Sequence, residues 1–419
     1  MHDAANVVEE RQTKDFQLAL SFDMSYAFRT ENCPTNKAWD VATMTYIVKE
    51  QDKRSSSYRW NSSVLIMTHE GGLYGGGFFK QLADELAEYD IDPTFAPYVS
   101  SYSVAASKSS DPDTSAQRFF SDYSDPTVSG YFNGLAWPNN VRENITCFVD
   151  TAFKDAIEES AHKGPFIMGV SPWQYENLNT PNPAGSWVQY SDTLYSHRWN
   201  QAITDVQPDI VNILSWNDYI ASTYLREVPE KTGPGSVDLG EQGNYVYGMN
   251  HTAWGAMTKY FSKGYMTDNN KPEITDNDLI YWYRTHRKDA TCKGGRASAS
   301  TPVRNSDFVN DSVFIWAKIR SAVTVEVYFG TDPKSRSERP GTPRVTFDTT
   351  GQTEPFLLEL PFPDDFPANS SDKLYPQVVV NPDRIAYSKY DSVPITGECD
   401  WENFNAVVQS LGSDFNDLF

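Results

Sequence analysis

The sequence predicts an α/β fold: a (β/α) barrel of TIM type, two strands short of eight, followed by a C-terminal antiparallel β-sandwich. Three observations predict it. A unit of short apolar strand, polar or aromatic tip and amphipathic helix recurs six times before about Gly264. Strands alternating with helices of this length form βαβ units and a parallel sheet. The tips hold tryptophans 137, 173, 187 and 216, which favours a closed barrel with an aromatic cleft over the alternative, an open doubly wound sheet. After Gly264 the texture changes to short β-type runs separated by Gly, Pro, Asn and Asp, the pattern of a sandwich.

The first strand is Phe16 to Phe22, ending in Asp23, and a helix with apolar positions Val41, Met44, Ile47 and Val48 follows. Val64 to Met67 ends in Thr68, His69 and Glu70, before a helix from Phe78 to about Tyr89. Thr94 to Val99 ends in Ser100, Ser101 and Tyr102. Gly130 to Phe132 is shorter, ends near Trp137 and Pro138, and precedes a helix near Phe148 to His162. Phe166 to Val170 ends in Ser171, Pro172 and Trp173, and a helix near Leu194 to Val206 leads to the last strand, Ile210 to Leu214. That strand is apolar almost continuously, as strands covered on both faces are, and stops in Trp216, Asn217 and Asp218. At the carboxyl end of a barrel strand, Asp218 occupies the rim from which catalytic side chains project. A turn cap is the other reading of Asn217 and Asp218.

Asp278 to Arg284, Ser312 to Ile319, Val323 to Phe329, Arg344 to Phe347, Pro355 to Leu360 and Gln377 to Val380 read as the sandwich strands. The expected domains are therefore 1–264, 265–399 and a C-terminal tail, 400–419, either an amphipathic helix or loose.

Composition excludes some partners. Among 419 residues, 56 Asp and Glu face 35 Lys and Arg, a net charge of −21, which repels nucleic acid phosphates and anionic membranes. No apolar run reaches the roughly 18 to 20 residues that span a bilayer, and the first residues form no secretory signal peptide. Five glycosylation sequons, at Asn61, Asn144, Asn250, Asn310 and Asn369, point to a secreted glycoprotein. Cys33, Cys147, Cys292 and Cys399 leave three disulfide pairings open. The six histidines include no pair at ligand spacing with an acidic third partner, so no metal and no cofactor is expected. A phosphate cradle in the Gly71 to Gly77 loop is disfavoured, because no Gly-Lys-Ser/Thr follows and Glu70 stands beside it.

Several motifs in order, SFDMSY (Ser21 to Tyr26), THEGG (Thr68 to Gly72), AWP (Ala136 to Pro138), SPWQYENL (Ser171 to Leu178), SDTLYSHRWNQ (Ser191 to Gln201), SWNDY (Ser215 to Tyr219), YVYGMNHTAW and IYWYRT, resemble glycoside hydrolase family 71, the fungal endo-1,3-α-glucanases or mutanases. The resemblance implies a (β/α)8 barrel lacking its first two strands here, a C-terminal β-sandwich, a secreted or cell-wall location, and hydrolysis of α-1,3-glucan with inversion. Such chemistry needs two carboxyl groups, one to protonate the leaving oxygen and one to activate water. Asp218 matches the aspartate of the family's Ser-Trp-Asn-Asp-Tyr-Gly-Glu-Ser, but Ala221 stands at its glutamate and Ile220 at its glycine. Leu135 likewise replaces an acidic residue in the motif that ends at Pro138. Glu70 is then the candidate second carboxylate. The candidate glucan-binding set is Asp23, Tyr26, Trp137, Trp173, Tyr175, Trp187, Asp192, Trp216 and Asn217. The alternative is a non-catalytic relative that binds α-glucan.

Overall fold

The computed structural model describes residues 6–7, 16–25, 38–160, 163–178, 185–233, 236–267, 271–290, 292, 303–332, 341–366, 372–380, 384–386 and 393–411. In chain order its strands are β1 (Leu20–Asp23), β2 (Arg59–Trp60), β3 (Ser63–His69), β4 (Pro93–Pro97), β5 (Tyr131–Asn133), β6 (Phe166–Val170), β7 (Tyr175–Asn177), β8 (Ser186–Val188) and β9 (Ile210–Ile213). There follow β10 (Asp278–Tyr283), β11 (Ser312–Lys318), β12 (Thr324–Gly330), β13 (Arg344–Asp348), β14 (Phe356–Pro361), β15 (Lys373–Val380), β16 (Arg384–Ala386), β17 (Ile395–Thr396) and β18 (Val407–Ser410). The chain forms two compact units. The first comprises Met1–Asn139, Thr146–Val170 and Thr204–Asn212, and the second Asn140–Ile145, Ser171–Ile203 and Ile213–Phe419.

The first unit is of mixed α/β type with parallel pairing. β3 lies between β1 and β4, parallel to both, with Leu20 opposite Ile66 and Ile66 opposite Phe95. β5 and β6 pair in parallel, and β9 is the far strand of that sheet. Only a residue without a side chain fits where β5 and β6 begin: a Cβ on Gly130 would meet the Pro165 carbonyl at 2.6 Å. The helices bury one stripe each. Gly75–Ala87 turns Phe79, Leu82, Ala83 and Leu86 inward at helical spacing, and Phe79 meets Phe95 of β4 edge to face at 5.2 Å. Helix Val41–Asp52 starts where Asp40 accepts the Thr43 N–H, a cap worth about 1 kcal/mol. Phe153 of helix Phe148–Glu159 stacks on Tyr131 of β5 at 3.7 Å.

Three expectations for this unit change. Helices Ser100–Ser107 and Pro112–Asp122 fill the stretch between β4 and β5 where no helix was read. Residues Gln201–Val206 continue the preceding helix as a π-helix. All four residues of β9 are half-buried. Residues on both faces of the strand are thus only partly covered.

In the second unit, antiparallel sheets of order β14-β11-β10-β18 and β13-β12-β15-β16, with β17 against β15, contribute to one apolar core. Alternate residues build it: Leu279, Tyr281 and Tyr283 from β10, Val313, Ile315 and Ala317 from β11, Val325, Val327 and Phe329 from β12. The intervening residues of β10 and β11 are buried as well. Trp282 meets Phe314 at 6.0 Å, while Trp254 and Phe261 of helix Trp254–Tyr265 contact Trp282 and Trp316. Two covered faces account for the unbroken apolar run Leu279 to Tyr283.

Gly264 lies within that helix, and residues on both sides of it belong to the second unit. The expected tail is corrected. Residues 407–410 form β18, paired with β10, because Val407, Val408 and Leu411 are apolar and find cover against the sheet; 412–419 lie outside the described residues. Cys292 is bonded to Cys399 across 107 residues, which settles one of the open pairings, and Cys33 lies outside the described residues. Buried Arg284 pairs with Asp311 and also donates to the Asn310 carbonyl at 3.2 Å. Among the described residues no helix is long and apolar enough to cross a membrane.

Candidate active site

The loop after β9 is closed by its own hydrogen bonds. Ser215 N–H donates to the Thr223 carbonyl at 3.0 Å and Thr223 N–H to the Asp218 carbonyl at 3.3 Å. The Ser215 hydroxyl accepts the Asp218 N–H at 2.9 Å, and Asp218 Oδ1 accepts the Ala221 N–H at 3.2 Å. The last bond is the cap that a turn aspartate makes. It engages one carboxylate oxygen, and the side chain stays exposed. Beside it Asn217 is exposed and Trp216 is 65% exposed, an indole face offered to solvent.

The hairpin β7–β8 is tied to this loop. Tyr175 N–H donates to the Ala221 carbonyl at 3.2 Å. In the hairpin Glu176 stands opposite Trp187, and directly opposed residues present their side chains on one face. Strand alternation turns Tyr175 and Asn177 inward and leaves Glu176 half-buried on the other face. Tyr245 joins the two segments. Its hydroxyl donates to the Ile220 carbonyl at 2.8 Å, and its ring meets Tyr175 at 5.1 Å. Burial, and then the charge of Asp218, pushes the Glu176 carboxyl up to about 7. Trp187 is half-buried, with the Arg304 guanidinium 5.8 Å from its ring.

The structure divides the predicted site residues. Asp218, Asn217, Trp216 and Trp187 lie in this region of the second unit. Three others in that unit are corrected to packing roles. Trp173 is buried, its indole N–H given to the Phe404 carbonyl at 3.0 Å and its ring packed beside Trp254. Tyr175 is fully buried, its hydroxyl donated to the Glu402 carbonyl at 2.7 Å. Asp192 is buried and accepts the Asn310 N–H at 2.8 Å, and burial raises its carboxyl to about 7. Trp173 and Tyr175, so occupied, leave nothing to offer a sugar, and Asp192 is kept from one by its burial.

Glu70, Asp23 and Trp137 belong to the first unit. Glu70, at φ +58°, accepts the Ser100 N–H at 3.3 Å, so its carboxylate sits on the first turn of helix Ser100–Ser107, where negative charge is favoured. Asp23 is exposed and accepts both the N–H and the hydroxyl of Ser25. Trp137 is half-buried. Tyr26 lies outside the described residues. The glycines of the Gly71 to Gly77 loop serve the chain's own path: Gly71 and Gly75 have positive φ, and a Cβ on Gly76 would meet the Asp122 carbonyl at 2.9 Å. Sequence reading missed Glu176. The signal was present, since strict alternation through Trp173, Tyr175 and Asn177 places that carboxyl on the opposite side from three large buried groups.

The strand-end SWNDY loop with its exposed tryptophan and aspartate lies within a match to a known family, glycosyl hydrolase family 71, that runs from residue 2 to residue 358. The chain belongs to glycosyl hydrolase family 71. Within it, glucan endo-1,3-alpha-glucosidase agn1 of Schizosaccharomyces pombe is 26% identical over 353 residues, which is 82% of this chain and 72% of that protein. A mutanase of Penicillium rubens is 25% identical over 355 residues, 82% of this chain and 69% of its own. Among solved structures, a GH99 endo-alpha-mannosidase from Bacteroides thetaiotaomicron is similar at a TM-score of 0.41 and 14% identity, over 62% of this chain and 68% of that one.

Proposed function

We propose that this chain hydrolyses α-1,3-glucosidic bonds of cell-wall α-glucan, with inversion at the anomeric carbon, and that it acts outside the cell. The observation that carries the reading is Asp218: a carboxylate exposed at the strand-end loop of a glycosyl hydrolase family 71 chain, fixed by Ser215 and Ala221 and flanked by the open face of Trp216. Asp218 takes the role of the group that removes a proton from the attacking water. The first unit, with β9, is read as part of a (β/α)8 barrel and the antiparallel sheets as its sandwich. Among the described residues, Asn61 and Asn144, both exposed, are the sequons best placed to carry glycans.

The test is release of reducing ends from insoluble α-1,3-glucan, with α-1,4- and β-1,3-glucans as controls and the product anomer followed by proton NMR. Release confined to the α-1,3 polymer, with the β-anomer appearing first, is the expected result. Retention on the glucan without release supports the second reading, a binding-only relative, which Ala221 at the family's glutamate position favours. Trp216→Ala is expected to raise KM about tenfold, equivalent to about 1.4 kcal/mol of lost contact, with kcat little changed. An unaltered KM would remove Trp216 from the binding surface.

A further inference from the structure

We propose that Glu176 is the general acid that works with Asp218, an assignment that rests on the hydrolase reading above. Inverting hydrolysis requires a second carboxyl group across the scissile bond from the first, at about 6.5 to 9.5 Å. Glu176 is a half-buried carboxyl group on the strand bonded to the Asp218 loop, and the charge of Asp218 acts on it. Its position is fixed from three sides. The Tyr175 N–H is bonded to the Ala221 carbonyl, three residues beyond Asp218. Tyr245 holds Ile220 of the loop with its hydroxyl and sets its ring against Tyr175 of the strand at 5.1 Å. Across the hairpin, Trp187 lies opposite Glu176. A carboxyl group on a strand bonded to the loop that carries Asp218, with Trp187 across the hairpin and Trp216 on the loop, has the surroundings of a sugar-cleaving pair. The rigid shell matters because such groups work only when held in a productive geometry.

The step balances without any other reagent. Glu176 gives its proton to the glycosidic oxygen as the bond from that oxygen to the anomeric carbon breaks. Asp218 accepts a proton from water, whose oxygen forms the new bond to that carbon on the opposite face. One linkage and one water become a hydroxyl and a reducing end of inverted configuration, and exchange with solvent moves the proton from Asp218 back to Glu176.

Titration follows in a definite direction. The groups around Glu176 are Asp218 on the loop, Tyr245 on helix Gly243–Val246 and, across the hairpin, Trp187 with the Arg304 guanidinium 5.8 Å from its ring. Burial and Asp218 hold the carboxyl protonated up to about 7, so acid-assisted cleavage persists below that pH and falls as pH rises through it.

The experiment compares wild type with Glu176→Gln on two substrates: α-1,3-glucan, whose sugar leaving group needs protonation, and an α-1,3-glucooligosaccharyl fluoride, whose leaving fluoride does not. The expected result is a loss of about 100-fold or more on glucan, near wild-type turnover of the fluoride, and disappearance of the basic limb from the pH profile. Retained fluoride turnover doubles as the evidence that the variant is folded. Equal loss on both substrates makes Glu176 a structural residue and overturns the proposal. So does full activity on glucan with the basic limb intact. Wild-type protein silent on both substrates overturns the hydrolase reading beneath it instead.

Discussion

Asp218→Asn is expected to lower reducing-end release from α-1,3-glucan about a thousandfold, in kcat rather than KM, with the unfolding midpoint unchanged. An amide cannot take a proton from water, so the water attacks without a base, a loss within the range that general bases contribute. Stability is preserved for a local reason. The backbone N–H of residue 218 still reaches the Ser215 hydroxyl, and the asparagine Oδ1 still accepts the Ala221 N–H. A small change in kcat would show that the Asp218 carboxylate is only the cap of its turn. Loss of activity together with a lower midpoint would point to loop collapse, and circular dichroism of the variant separates the two. In the same variant the Glu176 carboxyl, followed by carbon NMR, is expected to titrate below about 7, since the charge of Asp218 is the second cause of its elevation after burial.

Arg284→Ala is expected to destabilise the second unit by about 3 to 5 kcal/mol. Arg284 is 2% exposed and its guanidinium pairs with Asp311, itself largely buried. The same group donates to the carbonyls of Asn310 and His286 and lies 5.1 Å from the Phe404 ring. Removing it leaves a largely buried carboxylate with the Lys288 N–H at 2.9 Å and the Arg287 guanidinium, at 4.0 Å, as weaker company, along with carbonyls that lose their donors. An uncompensated buried charge costs more than the pair contributes. Arg284→Met combined with Asp311→Leu should therefore recover much of the loss. Urea unfolding monitored by tryptophan fluorescence checks both, and a single variant with an unshifted midpoint would sink the argument.

The strands of the first unit were legible because local pattern decides them: Val64 to Met67, Thr94 to Val99 and Phe166 to Val170 are the runs within which or around which β3, β4 and β6 form. Helix Ser100–Ser107 was not, since SSYSVAAS carries no wide apolar stripe and buries only Ser103 and Ala106. The C-terminal strand was missed for a different reason. Its partner β10 lies more than 120 residues earlier, and pairing at that range leaves no local mark. The site divides in the same way. Asp218, Trp216 and Trp187 follow from strand-end position. Trp173 and Tyr175 carry the same aromatic signal but are buried by carbonyls of Phe404 and Glu402, over 220 residues away. Alternation within SPWQYENL sets Glu176 apart from its buried neighbours, but its link to the Asp218 loop, the bond from Tyr175 to Ala221, leaves no mark in that spacing.

The bond between Cys292 and Cys399 encloses every strand from β11 to β17 in one covalent ring. A protease that cuts the backbone once anywhere within that ring yields two polypeptides but still a single molecule. Strands on either side of the cut remain at high effective concentration and the ladder of β10 with β18 is still anchored beside Cys399. In surroundings rich in proteases the nicked protein would therefore travel as one band until a reductant separates its halves.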